Sequence, residues 1–296
     1  MLVIIPTKDR LARLVVALDS ILTQKLRPTH IIIVDQGQHC AFLALEKILK
    51  DTGIQFSYLH AYPETGLVRA KRLAVEFLQD DLICFLEDDV VLDREFLEEI
   101  AKTFTNKPET LGVGGICRNS PGDNIAYVLL HGIFYLGMFM DSRPWITFRR
   151  SKLGTRPVTS GILSGGISAW RGEVLKAIPF IPEEGFHMME DMHFCRKVTQ
   201  RFGSRLLINP KATLQHFPAQ EGRVLKGEFE EHRLQEAFTF YRYHKKGIFD
   251  LLSFLWLMLG LTVFSLGKSL LCQSSQPIRG HGRGVLICFM HWKKGG

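Results

Sequence analysis

Five residues without a charge, Leu82-Ile83-Cys84-Phe85-Leu86, run directly into three carboxylates, Glu87-Asp88-Asp89. An uncharged run of this length bounded by acids reads as a strand buried on both faces, as in a sheet covered by helices on either side. In open α/β sheets ligands bind outside the carboxyl ends of the strands. Acids delivered there offer hard oxygen ligands of the kind Mg²⁺ and Mn²⁺ prefer. A plain alternative is that the acids occupy a turn and lead into the next helix, with Asp93 as its N-cap.

The residues before this run repeat one pattern. Leu2–Ile5 is a buried strand stopped by Pro6, and Leu11, Leu14, Leu18 and Ile21 follow at helical spacing. His30–Val34 is a second strand ending at Asp35, and Phe42, Leu45, Ile48 and Leu49 mark a second helix. Gln55–Leu59 is a third strand, and Leu67, Ala70, Leu73 and Ala74 a third helix. Strand and helix in alternation predict a parallel sheet with helices on both faces. No G-x-G-x-x-G follows the first strand and no P-loop is present, which argues against a dinucleotide oxidoreductase and a P-loop ATPase.

The second part of the chain is less regular. Leu111–Cys117 reads as a strand, and Ile125–Met140 as an apolar core or interface helix, with a membrane-touching surface as the lesser reading. Lys152–Thr159 reads as a basic loop. Gly165-Gly166 permits either close backbone approach to a ligand or a tight bend before a short strand. A loop is expected over Glu183–Met189, then a helix opened by Glu190-Asp191, then two short strands, Arg205–Ile208 and Ala212–His216. The chain from Glu228 to Lys246 is helical in character. Ile248–Cys272 is apolar apart from Asp250 and Lys268, a borderline length for a transmembrane helix. The tail carries Arg279, Arg283, Lys293 and Lys294; it suits an anionic leaflet or is a loose terminus.

Composition narrows the class. The formal net charge is +7 and 46% of residues are hydrophobic, so a packed core is expected. The six cysteines form no C-x-x-C pair, which speaks against a zinc ribbon or disulfide framework and fits a reducing compartment. The apolar run at the N-terminus is too short for a signal peptide. No nucleic-acid-binding module is visible, so no nucleic-acid partner is expected.

Six stretches, in order, resemble the inverting family 2 glycosyltransferases of GT-A fold. Val3-Ile4-Ile5-Pro6-Thr7-Lys8-Asp9-Arg10 is similar to that family's opening strand and loop. Ile33-Val34-Asp35-Gln36-Gly37 resembles its V-V-D-D-G-S stretch, and Gly66 to Arg72 its G-x-x-x-A-R-N. Glu87-Asp88-Asp89 stands at the D-x-D position, with Glu87 in place of the first Asp. Gly165-Gly166 through Trp170 and Arg171 resembles the acceptor-side segment, and Glu190-Asp191 with Arg196 the E-D-x-x-x-x-R helix start.

The resemblance implies a Rossmann-like, mostly parallel central sheet flanked by helices. It implies a GT-A domain over 1–226, divided at 110 into donor and acceptor halves; the apolar run and basic tail make 227–296 a helical, membrane-associated segment. Pro6, Thr7, Asp9, Arg10, Asp35, Gly66, Lys71 and Asp88 would bind the nucleotide-sugar. Asp89, Glu87 and His216 would hold Mg²⁺ or Mn²⁺. Asp191 would be the general base, with Glu190 beside it, and Gly165, Gly166 and Trp170 would face the acceptor. For several of these, plain readings stay open. Asp35 also fits a strand-end turn, Asp191 a favourable charge at a helix start, Trp170 ordinary packing, and His187, His193 and His216 structural roles. The acceptor expected is a saccharide or a lipid-linked saccharide, at the cytoplasmic face of a membrane. The rival readings are a nucleotidyltransferase on a similar sheet and a non-catalytic member of the same family.

Overall fold

A computed structural model describes residues 1–63, 66–77, 81–120, 124–150, 152, 154, 156–181, 189–218 and 226–294. The loop expected over Glu183–Met189, with His187, lies outside the described residues except for Met189. The first elements alternate as the sequence predicts: β1 (Leu2–Thr7), α1 (Leu11–Leu22), β2 (His30–Asp35), α2 (Phe42–Leu49), β3 (Gln55–His60), α3 (Leu67–Val75) and β4 (Leu82–Leu86). β1 pairs in parallel with β2 on one side and β4 on the other, and β2 in parallel with β3. Leu2–Ile5 and Ile31–Val34 are fully buried, as strands covered on both faces require. Leu14, Ala17, Leu18 and Ile21 form the inward stripe of α1.

Next come β5 (Val90–Leu92), α4 (Phe96–Asn106), β6 (Gly112–Cys117), α5 (Ile125–Phe134), α6 (Arg143–Phe148), β7 (Val158–Thr159), β8 (Ile167–Arg171), α7 (Gly172–Ala177), α8 (Glu190–Phe202) and β9 (Leu206–His216). Among the described residues the strands form one nine-stranded sheet, ordered β3-β2-β1-β4-β8-β6-β9-β5, with β7 beside β9. β8 runs antiparallel to both β4 and β6, and β5 and β7 run antiparallel to β9. The stretch β3-β2-β1-β4 is thus wholly parallel and the rest of the sheet mixed.

Several local expectations give way. Asp93 does not cap α4, which begins at Phe96 with no side-chain cap. Its carboxylate is taken instead by Arg118 and Thr213. Val158–Thr159, expected in a loop, pairs with β9. The two short strands expected after α8 are one strand with an irregularity, since β6 advances from Gly114 to Ile116 while β9 advances from Ile208 to Thr213. Asn209 anchors that bulge by donating to the Glu99 carbonyl and the Thr103 hydroxyl.

The last three helices are α9 (Lys226–His244), α10 (Ile248–Leu271) and α11 (Gln276–Lys294). The basic tail is therefore a helix, not a loose terminus. α5 stops at Phe134, short of Met140, and a 3-10 turn follows at Gly137–Phe139, where Gly137 takes φ 59. The chain divides into two compact units. One comprises Met1–Asp123 and Ser142–Ala219, and the other Asn124–Asp141 and Gln220–Gly296. The first holds the whole sheet. The second groups α5 with α9, α10 and α11, an association of distant segments that the division at 226 did not contain.

Candidate active site

The parallel pairing of β1 with β4 brings Thr7 beside the acids that follow Leu86. The Thr7 hydroxyl donates to Asp88 Oδ2 at 2.7 Å, and Arg10 Nη1 lies 3.4 Å from Oδ1. Asp88 is buried, and burial raises its pKa against the lowering contributions of Thr7 and Arg10. One strand over, the Asp35 carboxylate accepts from Gly37 N at 2.8 Å and from the Tyr58 hydroxyl at 2.6 Å. Asp35 is thus a strand-end turn residue and also lines the same sheet end. Asp9, at φ 55, accepts from Gln38 N at 3.0 Å. Gly66, at φ 121, opens α3 and is gripped by the Gln36 amide, which accepts from its N–H and donates to its carbonyl. Pro6 does not stop β1, which runs on to Thr7; it pairs with Val34, and Thr7 with Asp35.

The antiparallel register of β5 and β9 pairs Val90 with His216, so the imidazole arrives next to Asp89. His216 Nε2 lies 3.0 Å from Asp89 Oδ1 and 3.1 Å from Glu87 Oε2. Hydrogen bonds to Asp89 and Glu87 hold the imidazolium and push its pKa up to about 10. Glu87, Asp89 and His216 each offer one ligand atom, and these lie within 4.8 Å of one another. Two carboxylate oxygens and an imidazole, converging on one point, fit a divalent cation that would take the place of the shared proton.

Gly165 and Gly166 explain how two clusters share one site. A Cβ on Gly166 would collide with the Glu87 side chain, and one on Gly165 with Glu190 Oε1 and Lys71 Nζ. The close approach these glycines permit is to the protein's own charged groups. Consecutive Cα atoms are about 3.8 Å apart, so the Glu87 cluster and the Glu190–Lys71 pair flank one short turn.

Lys71 departs from expectation. It is 2% exposed, its Nζ lies 3.1 Å from Glu190 Oε1, and it sits over the Phe85 and Phe180 rings. Its charge is neutralised inside the protein rather than presented to a diphosphate. Asp191, next along α8, accepts from Met192 N at 2.8 Å and is ion-paired with Arg143 Nη1. Arg143 also donates to Ser164 Oγ at 3.3 Å. Trp170 is 3% exposed. Its ring stands edge-on to Phe194 and its indole N–H donates to Ser168 Oγ at 3.0 Å. It packs in the core and leaves no face for a sugar. His193 is likewise buried.

Two residues of the site left no mark in the sequence. Arg143 opens α6, and Asn119 holds the His216 backbone from both sides, donating to its carbonyl at 2.8 Å and accepting from its N–H at 2.9 Å. Each sits far along the chain from its partner, in a stretch without a motif.

The profile of a family described as Glycosyl transferase family 2 matches residues 2–178. The chain belongs to glycosyl transferase family 2. A curated relative of this family 2 chain is the glucosyl-dolichyl phosphate glucuronosyltransferase of Haloferax volcanii, 26% identical over 99 residues. That match covers 33% of this chain and 31% of the relative, so the chain corresponds to under a third of that protein's length. Among solved structures, the mannosyltransferase PcManGT of Pyrobaculum calidifontis, in complex with GDP-Man and Mn²⁺, is similar at TM-score 0.62 and 15% identity. The similarity covers 100% of this chain and 75% of that one. S. aureus TarS residues 1–349, in complex with UDP-GlcNAc, is similar at TM-score 0.55 and 16% identity, over 96% and 80% of the two chains. These likenesses establish the family 2 chain's fold, a central sheet flanked by helices of the GT-A type.

Proposed function

We propose that this family 2 chain transfers a sugar from a nucleotide-sugar to a hydroxyl, with inversion and with a divalent cation bound by Glu87, Asp89 and His216. The observation that carries the reading is the two-sided site. A three-ligand cluster stands on one side of the Gly165-Gly166 turn, and a carboxylate pair at the start of α8 on the other. An imidazole in the ligand set is softer than Mg²⁺ favours, so Mn²⁺ fits better. When bound, such an ion acts as a Lewis acid that stabilises charge on a departing nucleoside diphosphate.

The protein's own groups divide the remaining work. Asp88, held by Thr7 and Arg10, and Asp35, held by Tyr58, line the donor end of the sheet. Asp191 takes the proton of the acceptor hydroxyl as general base. Arg143 holds that carboxylate in place through its pairing. Glu190 is committed to Lys71 and fixes the start of α8 against α3. The acceptor is a saccharide or lipid-linked saccharide at the cytoplasmic face of a membrane. Support comes from the lipid-phosphate acceptor in the name of the haloarchaeal relative and from the apolar α10. All six cysteines are free, in keeping with a reducing compartment.

The test is a panel of nucleotide-sugars with Mn²⁺ and membrane extract as acceptor source, reading free nucleoside diphosphate. Asp89→Ala should lose Mn²⁺ binding and release. Asp191→Asn should bind donor normally and slow transfer by roughly 10²–10⁴-fold, the range typical for a general base. Release of sugar 1-phosphate in place of nucleoside diphosphate would show nucleotidyl transfer and refute the proposal.

A further inference from the structure

α10 is 24 residues long and apolar enough by composition to cross a membrane. Its surroundings within the second unit argue for a different arrangement. The exposed side chains fall on one stripe, from Leu252 through Leu255, Leu259, Val263 and Leu266 to Leu270. The opposite face carries Phe254, Leu257, Gly260, Leu261 and Ser265, all buried. Gly260 sits against Phe134 of α5 so closely that a Cβ there would strike the ring, and Trp256 Nε1 donates to the Ile133 carbonyl at 2.7 Å.

The buried face is also polar in part. Lys268 Nζ lies 2.8 Å from Glu230 Oε1 of α9, and the Glu230 side chain is 1% exposed. Ser265 Oγ lies 3.4 Å from the other Glu230 oxygen. Thr262 is bonded to His281 of α11 at 2.9 Å. Arg233 Nη2 lies 2.7 Å from Glu230 Oε2 on the same helix, so a spanning α10 would carry Glu230, Arg233 and His281 into hydrocarbon with it, and ionisable groups at that depth cost several kcal/mol each.

α5 extends the apolar stripe. Leu129, Ile133 and Leu136 are exposed, and no charged residue occurs from Asn124 to Met140. Leu136 shares one open groove with Leu252, Leu255 and Trp256, so the two helices present a single surface. Its ends are cationic. Lys245 and Lys246 are exposed just before α10, the exposed Trp292 and Lys293 return to the same end where Trp292 stacks on Tyr241, and the exposed Arg279 lies at the other end, next to Ile278, whose N–H donates to Ser269 Oγ. Asp250 is the sole acid on α10, and it accepts from the Lys246 backbone N–H at 2.7 Å.

We propose that the joined outer face of α5 and α10 lies flat in the headgroup region of an anionic bilayer, and that α10 does not cross it. An apolar stripe with cations and tryptophan at its margins has the chemistry of an interfacial helix. The charges at both ends of α10 then sit at the same depth and on the same side. The inference uses the second unit alone and stands whether or not the proposed transfer reaction is correct.

The test uses the full chain with Cys40 and Cys117 replaced by Ser. It is pelleted with vesicles of phosphatidylcholine, alone or mixed with phosphatidylglycerol. Binding to the mixed vesicles is expected. Leu255→Glu with Leu259→Glu should weaken it by about tenfold or more, since burying one leucine is worth about 1.5–3 kcal/mol. Both positions are exposed, so the melting temperature of the variant should match the parent. Unchanged binding by a variant of parental stability overturns the proposal. Topology is read in membrane vesicles of both orientations from producing cells, with Gly247→Cys at one end of α10 and the native Cys272 at the other. An impermeant maleimide should label both thiols from the same side. Labelling from opposite sides means that α10 spans. A dimer in sedimentation that binds no lipid means that a second copy covers the face; either result refutes the interfacial arrangement.

Discussion

Two consecutive glycines do different work at one turn. Gly166 leaves room for Glu87, and Gly165 for Glu190 and Lys71. Gly166→Ala should push the Glu87 carboxylate aside and weaken Mn²⁺ binding, read by titration against the ion's paramagnetic signal. Gly165→Ala should leave Mn²⁺ affinity near that of the parent and reduce the rate of transfer. An equal effect of both on Mn²⁺ would contradict the division. Asn119 acts at one remove, by fixing the His216 backbone. Groups that orient metal ligands typically change affinity by about 10–100-fold when removed, so Asn119→Ala should weaken Mn²⁺ binding on that scale and Asn119→Asp by less. The sequence shows Glu87, Asp88 and Asp89 because strand and acids are contiguous. It hides Asn119 and Arg143, whose partners are 97 and 48 residues away. A side chain that meets its partner only through sheet pairing leaves no local spacing to detect.

Between elements, Lys71 of α3 is tied to Glu190 of α8. Side chains 2% and 9% exposed make this a buried ion pair. Removing one partner leaves the other charge without compensation, at a cost of about 3–5 kcal/mol. Lys71→Met should therefore lower the unfolding midpoint sharply, and Lys71→Met with Glu190→Gln should recover much of the loss in the same denaturation experiment. The sequence placed positive charge at position 71 correctly but assigned it to the ligand, because spacing along α3 says nothing about which element packs above it. The parallel part of the sheet was legible from periodicity, since β1, β2 and β4 are nearly continuous apolar runs. In the mixed part β6 and β8 were legible too, but β7 and the continuity of β9 were not. β7 is two residues long and β9 carries a proline within its bulge, features that single-strand patterns read as loops.

For the whole molecule, 37 basic residues against 30 acidic ones leave a net charge of +7. If the second unit meets an anionic surface, part of the attraction is long-range and screened by salt, and part is apolar and insensitive to it. Raising sodium chloride should weaken vesicle binding to a plateau rather than abolish it, as measured by flotation. Complete release at high salt would mean that charge alone holds the protein there. The grouping of Asn124–Asp141 with the C-terminal helices also belongs to this scale. The sequence shows α5 as apolar but not which helices claim it.

The irregularity in β9 has a consequence for how the chain tolerates changes in length. Side chains alternate along a strand, so one inserted residue swaps the two faces of everything after it. Up to Ile208 the ladder keeps step with β6, and between Ile208 and Thr213 the bulge works as a slack joint after which counting restarts. From Thr213 to His216 there is no slack, because each residue is counted off against β5 or β6. The position of the imidazole is therefore kept like a reading frame. A residue added at Pro210–Lys211 should be absorbed with Mn²⁺ binding intact. One added between Thr213 and Gln215 should turn His216 to the opposite face and silence the site in a protein that still folds.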